Sequence, residues 1–248
     1  MPRKLGQHFL RNPGVLRRIA EAAAPEPVDA IVEIGPGRGA LTARLLERAR
    51  RVVAIELDAS LAEALERRFA GAANLEIVRG DVLKVDLEPY MPAVIAGNLP
   101  YYITSPILER VLRLAPRFPR AVLLVQKEVA DRLVAEPGRR EYGYLTVATR
   151  LVANVRVLCR VSPGSFVPPP KVDSAVVVLE PRPEPLAADP ARFLKFVSAC
   201  FRGKRKTLRN NLRALYPAIG GLPEAGLRAE QLGLEELLAL YRRLAEAG

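Results

Sequence analysis

The chain has 248 residues, half of them apolar, with 38 lysines and arginines against 27 aspartates and glutamates and a net charge of +11. Such a chain can build a substantial core, as one domain or as a large domain with a small one, and its charge favours a polyanionic partner, either nucleic acid or an anionic membrane surface. No apolar run approaches the ~20 residues that span a bilayer, and one histidine (His8) with two distant cysteines (Cys159 and Cys200) supplies neither a zinc site nor a disulfide framework.

The N-terminal stretch MPRKLGQHFLRNPG is basic and lacks the apolar stretch and cleavage site of a signal peptide, so the cytoplasm is the expected location. Helical spacing runs through 15–24, 40–49, 59–70 and 105–114. Apolar, β-branched runs at 29–35, 51–58, 75–81 and 92–98 read as strands, and 121–129 passes from strand into helix. This alternation predicts an α/β fold, a mostly parallel doubly wound sheet with helices on both faces. The stretches 145–161 and 174–181 are β-rich and extend the sheet with an antiparallel edge. PRPEPLAADP (181–190) holds four prolines in ten residues and reads as a boundary, with helical segments at 191–201, 204–215, 223–229 and 233–246 beyond it. Two domains follow, 1–183 and a small helical one at 184–248.

Between the first strand and its helix lies VEIGPGRGALT, with Gly35, Gly37 and Gly39. Glycines there let the backbone approach a ligand closely, and the amides of the following helix face it. The spacing is G-x-G-x-G, without the lysine of a phosphate-binding loop, which disfavours triphosphate hydrolysis. Glu56 ends the next strand, 21 residues after Gly35, where an acid takes ribose hydroxyls. Asp81 ends the third strand, where a carboxylate can accept from an adenine amine. Ligands bind at such carboxyl ends in open sheets.

The fourth strand runs into AGNLPYYITSP. The Asn98 side-chain oxygen and the Leu99 carbonyl are two acceptors for one exocyclic amine. Pro100 stiffens the turn and brings no N–H to compete. Tyr101 offers a face on which a base can stack. Tyr102 is expected to pack beneath this clamp. The arrangement suits methyl transfer to a planar amine.

Taken together, GQHFL (6–10), VEIGPGRGALT, GD at 80–81, NLPYYITSP and FVPPPKVDSAVV (166–177) resemble the ribosomal RNA adenine dimethylase family, and within it the small-subunit (16S) branch most closely. The resemblance covers residues 3 to about 180 through five ordered motifs, and the helical tail more loosely. It implies a Rossmann-like fold dependent on S-adenosylmethionine (SAM), with S-adenosylhomocysteine as product and no metal. His8 and Leu10 would contact SAM from the N-terminal segment; other members often carry asparagine where His8 stands. Gly35 and Gly37 would lie against it, Glu56 would bind its ribose, Asp81 its adenine, and Asn98 both cofactor and target. Tyr101 and Phe166 would sandwich a target adenine flipped out of its stack. The reaction implied is direct in-line displacement by adenine N6, twice, on adjacent adenosines in the 3′-terminal hairpin loop of 16S rRNA in the immature 30S subunit, by a monomer that needs no membrane.

RGKRKTLRNNLRAL (202–215) is dense in cations on a helical pattern. Lys204, Arg205 and Lys206 there, Arg139 and Arg140 in PGRREYGYLT, Lys171, and Arg3, Lys4 and Arg11 near the start are expected to hold RNA phosphates, contacts that position without specifying sequence. Three alternatives stay open: a 23S rRNA methyltransferase of the macrolide-resistance type, a DNA adenine methyltransferase (which normally has an acid where Asn98 stands), and a non-enzymatic ribosome-assembly factor on the same fold.

Overall fold

The computed structural model describes residues 7–246; Arg3 and Lys4 lie outside them. The chain divides into two compact units, one of Met1–Ala130 and Asn154–Pro181, the other of Asp131–Ala153 and Arg182–Gly248.

In the first unit the elements are β1 (Phe9–Leu10), α1 (Pro13–Ala23), β2 (Val28–Ile34), α2 (Ala40–Leu46), β3 (Ala49–Glu56), α3 (Ala59–Arg68), β4 (Leu75–Arg79), β5 (Val94–Asn98), α4 (Thr104–Arg113) and β6 (Ala121–Gln126). Helix α5 (Lys127–Val134) spans the division. The second unit opens with α6 (Tyr144–Val152), and β7 (Ala153–Val161), β8 (Phe166–Val167) and β9 (Ser174–Pro181) return to the first. The tail adds α7 (Pro190–Cys200), α8 (Leu208–Leu212) and α9 (Leu234–Glu246).

Seven strands form one sheet in the order β4-β3-β2-β5-β6-β9-β7. The pairs from β4 through β6 are parallel, and β9 joins β6 antiparallel. The strand order reverses direction between β2 and β5, which opens a crevice at their carboxyl ends. On one face of the central strands, Ile31, Val52, Val94, Val122 and Leu124 pack with Leu16, Ile19, Leu41 and Leu45 of α1 and α2. Each such side chain contributes roughly 1.5–3 kcal/mol when fully buried. Gly97 sits opposite Ile34, and a Cβ there would meet the Ile34 carbonyl oxygen at 2.4 Å, so only glycine lets β5 approach β2 this closely.

Helix starts follow local chemistry. Asn12 accepts from the amides of Gly14 and Val15, with Pro13 at the first helical position. Asp58 caps α3 in the same way through Ser60 and Leu61. Several expectations are corrected here. The stretch 145–161 is not all strand: its first half is α6, with the buried face Thr146, Val147, Thr149 and Leu151, and Thr149 Oγ1 donates back to the Leu145 carbonyl. The β-branched residues there face a helix core instead of a sheet. The helix expected over 204–215 shrinks to Leu208–Leu212, because Gly203 and Lys206 form a turn before it (Lys206 N to Gly203 O, 2.8 Å). The 223–229 segment is a short 3-10 turn at Pro223–Gly226. The division between units falls at Pro181, two residues before the expected boundary, and the tail unit also takes in Asp131–Ala153, which the sequence pattern places in the first domain. A two-stranded ribbon, β1 with β8, has no counterpart among the expected elements.

Candidate active site

A pocket opens at the carboxyl ends of β2, β3, β4 and β5, lined by His8, Leu10, Glu33, the glycine loop, Glu56, Asp81 and the tip from Asn98 to Ile103. The loop takes its shape from three left-handed glycines, Gly35, Gly37 and Gly39, with φ of 69°, 57° and 77°. A Cβ on Gly37 would touch the Phe9 ring at 3.0 Å. Side chains here would both strain the backbone and fill the cradle.

Glu56 is 4% exposed. Its two oxygens accept from the Gly37 amide (3.0 Å) and the Asp58 amide (2.9 Å). The carboxylate thus ties the end of β3 to the glycine loop and still has lone pairs for a ligand. Burial pushes its pKa up, and the amides of Asp58 and Gly37 oppose the shift. Asp81 Oδ1 accepts from the Leu83 amide at 2.9 Å, which fixes the head of that carboxylate. Glu33 is 1% exposed, and its Oε2 has no hydrogen-bond partner. Burial lifts its pKa to about 8, with the Thr42 hydroxyl opposing and the Glu56 carboxylate adding to the shift.

At the tip, Asn98 Nδ2 donates to the His8 carbonyl oxygen at 2.8 Å. This bond uses one of the two N–H donors, fixes which way the amide faces, and leaves the side-chain oxygen as the group available for accepting. The His8 ring donates from Nδ1 to the Pro168 carbonyl at 2.8 Å and lies 5.5 Å, centroid to centroid, from Tyr101. Tyr101 is anchored through its hydroxyl to Ser174 Oγ at 2.5 Å. Thr104 Oγ1 donates to the Pro100 carbonyl at 3.0 Å and holds the turn closed.

The structure therefore gathers His8, Leu10, Gly35, Gly37, Glu56, Asp81, Asn98, Leu99, Pro100 and Tyr101 around one pocket. Phe166 is not among its lining residues. It is 2% exposed and packs in the core with Leu10 and Leu16, because its register opposite Leu10 in the β1–β8 ribbon turns the ring inwards. The ring beside Tyr101 is that of His8. Tyr102 is 56% exposed at the pocket mouth and is not packed beneath the clamp, because the turn after Pro100 aims the two tyrosines apart. Two groups escape a reading of the sequence. Ser174 is visible there only as part of FVPPPKVDSAVV, and the His8 carbonyl carries no side-chain signal at all.

Within the second unit, Lys204 Nζ donates to the Arg140 carbonyl at 3.1 Å. This brings the Arg139–Arg140 turn beside Lys204, Arg205 and Lys206, all exposed. Lys171 is exposed on the first unit.

The acids Glu56 and Asp81, with the buried carboxyl of Glu33 beside them, suit a ligand with cationic and hydroxyl groups and disfavour a polyphosphate. An aminoacyl sulfonium nucleoside such as SAM has that chemistry. Fold and site together define a nucleotide-cofactor methyltransferase of the α/β class. The family described as ribosomal RNA adenine dimethylase matches residues 1–220, and the chain belongs to it. It is 46% identical over 257 residues to ribosomal RNA small subunit methyltransferase A of Acidobacterium capsulatum, covering 98% of this chain and 91% of that protein. It is 42% identical over 247 residues to the protein of the same description from Thermotoga maritima, covering 100% and 86%. Among solved structures, a dimethyladenosine transferase from Plasmodium falciparum superposes with a TM-score of 0.82 at 29% identity, covering 96% of this chain and 98% of that one. The 23S rRNA methyltransferase ErmE superposes with a TM-score of 0.76 at 34% identity, covering 96% and 99%.

Proposed function

We propose that this chain transfers methyl groups from SAM to N6 of two adjacent adenosines in the 3′-terminal hairpin loop of 16S rRNA, on the immature 30S subunit, by direct in-line displacement. The observation that carries this reading is the Asn98 amide. One N–H of its nitrogen donates to the His8 carbonyl, which fixes the way the amide faces and leaves its oxygen to accept at a strand end beside a stacking ring.

When bound, SAM supplies a sulfonium methyl already activated for displacement. Gly35, Gly37, Glu56 and Asp81 would hold it, with Glu33 as a buried, protonated carboxyl beneath the glycine loop. The target amine is a poor nucleophile because its lone pair is delocalised into the ring. Asn98 Oδ1 and the Leu99 carbonyl accept hydrogen bonds from its N–H groups and favour a pyramidal nitrogen, and the methylated nitrogen then releases one proton to water. The Tyr101 face stabilises positive charge as it develops there. Burial raises the Tyr101 phenol above its ordinary value, so the ring stays neutral. Catalysis is then mainly positioning and electrostatics. The basic groups of the second unit hold phosphates. The protein works as a monomer in the cytoplasm, and its binding to an immature particle gives it a part in subunit assembly.

The test is mass spectrometry of rRNA after incubation with SAM, on immature 30S particles and, separately, on 23S rRNA. Dimethyladenosine should form on the first and not the second, and Asn98→Ala should abolish it while leaving the fold and most RNA affinity intact. Product on 23S rRNA alone would overturn the substrate, and full activity in Asn98→Ala would overturn the site.

A further inference from the structure

Tyr102 takes no part in that methyl transfer, yet it stands in the same pocket wall. Tyr102 is 56% exposed, and Leu57, another residue of that wall, is 48% exposed. Two large apolar side chains left open at the rim of one pocket suggest a surface kept for a ligand. Their placement says which ligand. Leu57 follows β3 and Tyr102 follows β5, with β2 and its glycine loop between them. Strand ends two positions apart are separated by roughly 10 Å.

Tyr101 and Tyr102 are neighbours in sequence but diverge. In a 3-10 turn successive side chains point about 120° apart. Tyr101 turns to Ser174 and His8, on the side of the tip. Tyr102 turns the other way. Burial first, then the charges of Asp81 and Glu56, raise its phenol pKa. Those carboxylates belong to the ends of β4 and β3 and line the same pocket as Tyr102, so the ring stands in the field of the acids on the cofactor side.

We propose that Tyr102, opposite Leu57, is a cofactor-binding residue: it forms the outer wall over the adenosine half of the bound cofactor and does not contact the RNA. This rests on the assignment of the pocket to SAM. Adenosine fits because one flat base and one ribose would bring a π-face to the ring and hydroxyls to the acids beneath it. The target adenine is served from the other side of the tip, by Tyr101.

The chain contains no tryptophan, so Tyr102→Trp places a single indole reporter at the rim. SAM, S-adenosylhomocysteine and free adenosine should each quench it saturably in the absence of RNA. In calorimetry on the full chain, Tyr102→Ala should raise the Kd of SAM and of S-adenosylhomocysteine alike, by about tenfold, whereas Tyr102→Phe should stay within about twofold. RNA affinity measured without cofactor should not move. An unchanged cofactor Kd in Tyr102→Ala, or a reporter quenched by RNA and not by adenosine, would overturn the proposal while leaving the pocket assignment standing. Absence of SAM binding by the unaltered chain would overturn both.

Discussion

Asn98 Nδ2 and the carbonyl oxygen of His8 are 2.8 Å apart, though 90 residues separate them in sequence. The bond runs one way only, since a carbonyl cannot donate. Asn98→Asp keeps the shape of the side chain but sets a carboxylate oxygen against the His8 carbonyl. Methylation should fall about a thousandfold or more, at least as far as in an oxyanion-hole deletion. SAM affinity should fall much less. Single-turnover rates with tritiated SAM, read beside calorimetric Kd, separate the two effects.

The hydroxyl of Tyr101 anchors its ring through Ser174. Tyr101→Phe retains the stacking face and loses the anchor, so kcat should drop by about tenfold or less. Tyr101→Ala loses the face as well and should cost about a hundredfold or more. Equal losses in the two variants would mean that the phenol oxygen, and not the face, carries the role.

Glu33 gives a pH signature to stability. Its pKa is about 8 in the folded chain against an ordinary 4.5. The folded state therefore binds the extra proton between those values. Stability is fully present below pH 4.5 and is lost as pH rises through 8. Glu33→Gln removes the proton uptake. The melting temperature of the unaltered chain should decline across this window more steeply than that of the variant, measured by calorimetry without cofactor. Parallel curves would place the charge elsewhere.

Lys204, Arg205 and Lys206 lie together beside the Arg140 carbonyl. Reversing the three charges should weaken RNA binding strongly and flatten its salt dependence, with the log–log slope falling by roughly 0.7–0.9 for each phosphate that is no longer neutralised. Filter binding across a salt series reads both, and an unchanged slope would show that these cations are only a solvated surface.

The parallel strands were legible because each is a short β-branched run closed by a polar residue, as in VVAIELD, and a fully covered strand has no other composition. The acids at strand ends followed from that. What remained hidden was tertiary. LTVATRLV has the residues of a strand and becomes a helix because its buried face meets the helices of the second unit. Phe166 reads as an open ring beside a proline turn, and only its register opposite Leu10 turns it into core. Glu56 was legible as a ligand acid, but its grip on the Gly37 amide depends on a distance between chain segments that no spacing rule contains.

The interleaving of the two units bears on how the chain can be made and cut. The path passes from one to the other at Ala130, returns at Ala153 and leaves again at Pro181. A proteolytic nick or a truncation at Pro181 would thus not release two finished bodies. It would strand α6, with its buried Val147 and Leu151, on the wrong fragment, and leave Arg182–Gly248 without the helix that its α7 packs against. During synthesis α6 emerges well before its partners and must wait for the last part of the chain. Expression of the tail as an isolated RNA-binding fragment should give an aggregation-prone product, whereas a fusion that supplies Asp131–Ala153 ahead of it restores the missing layer.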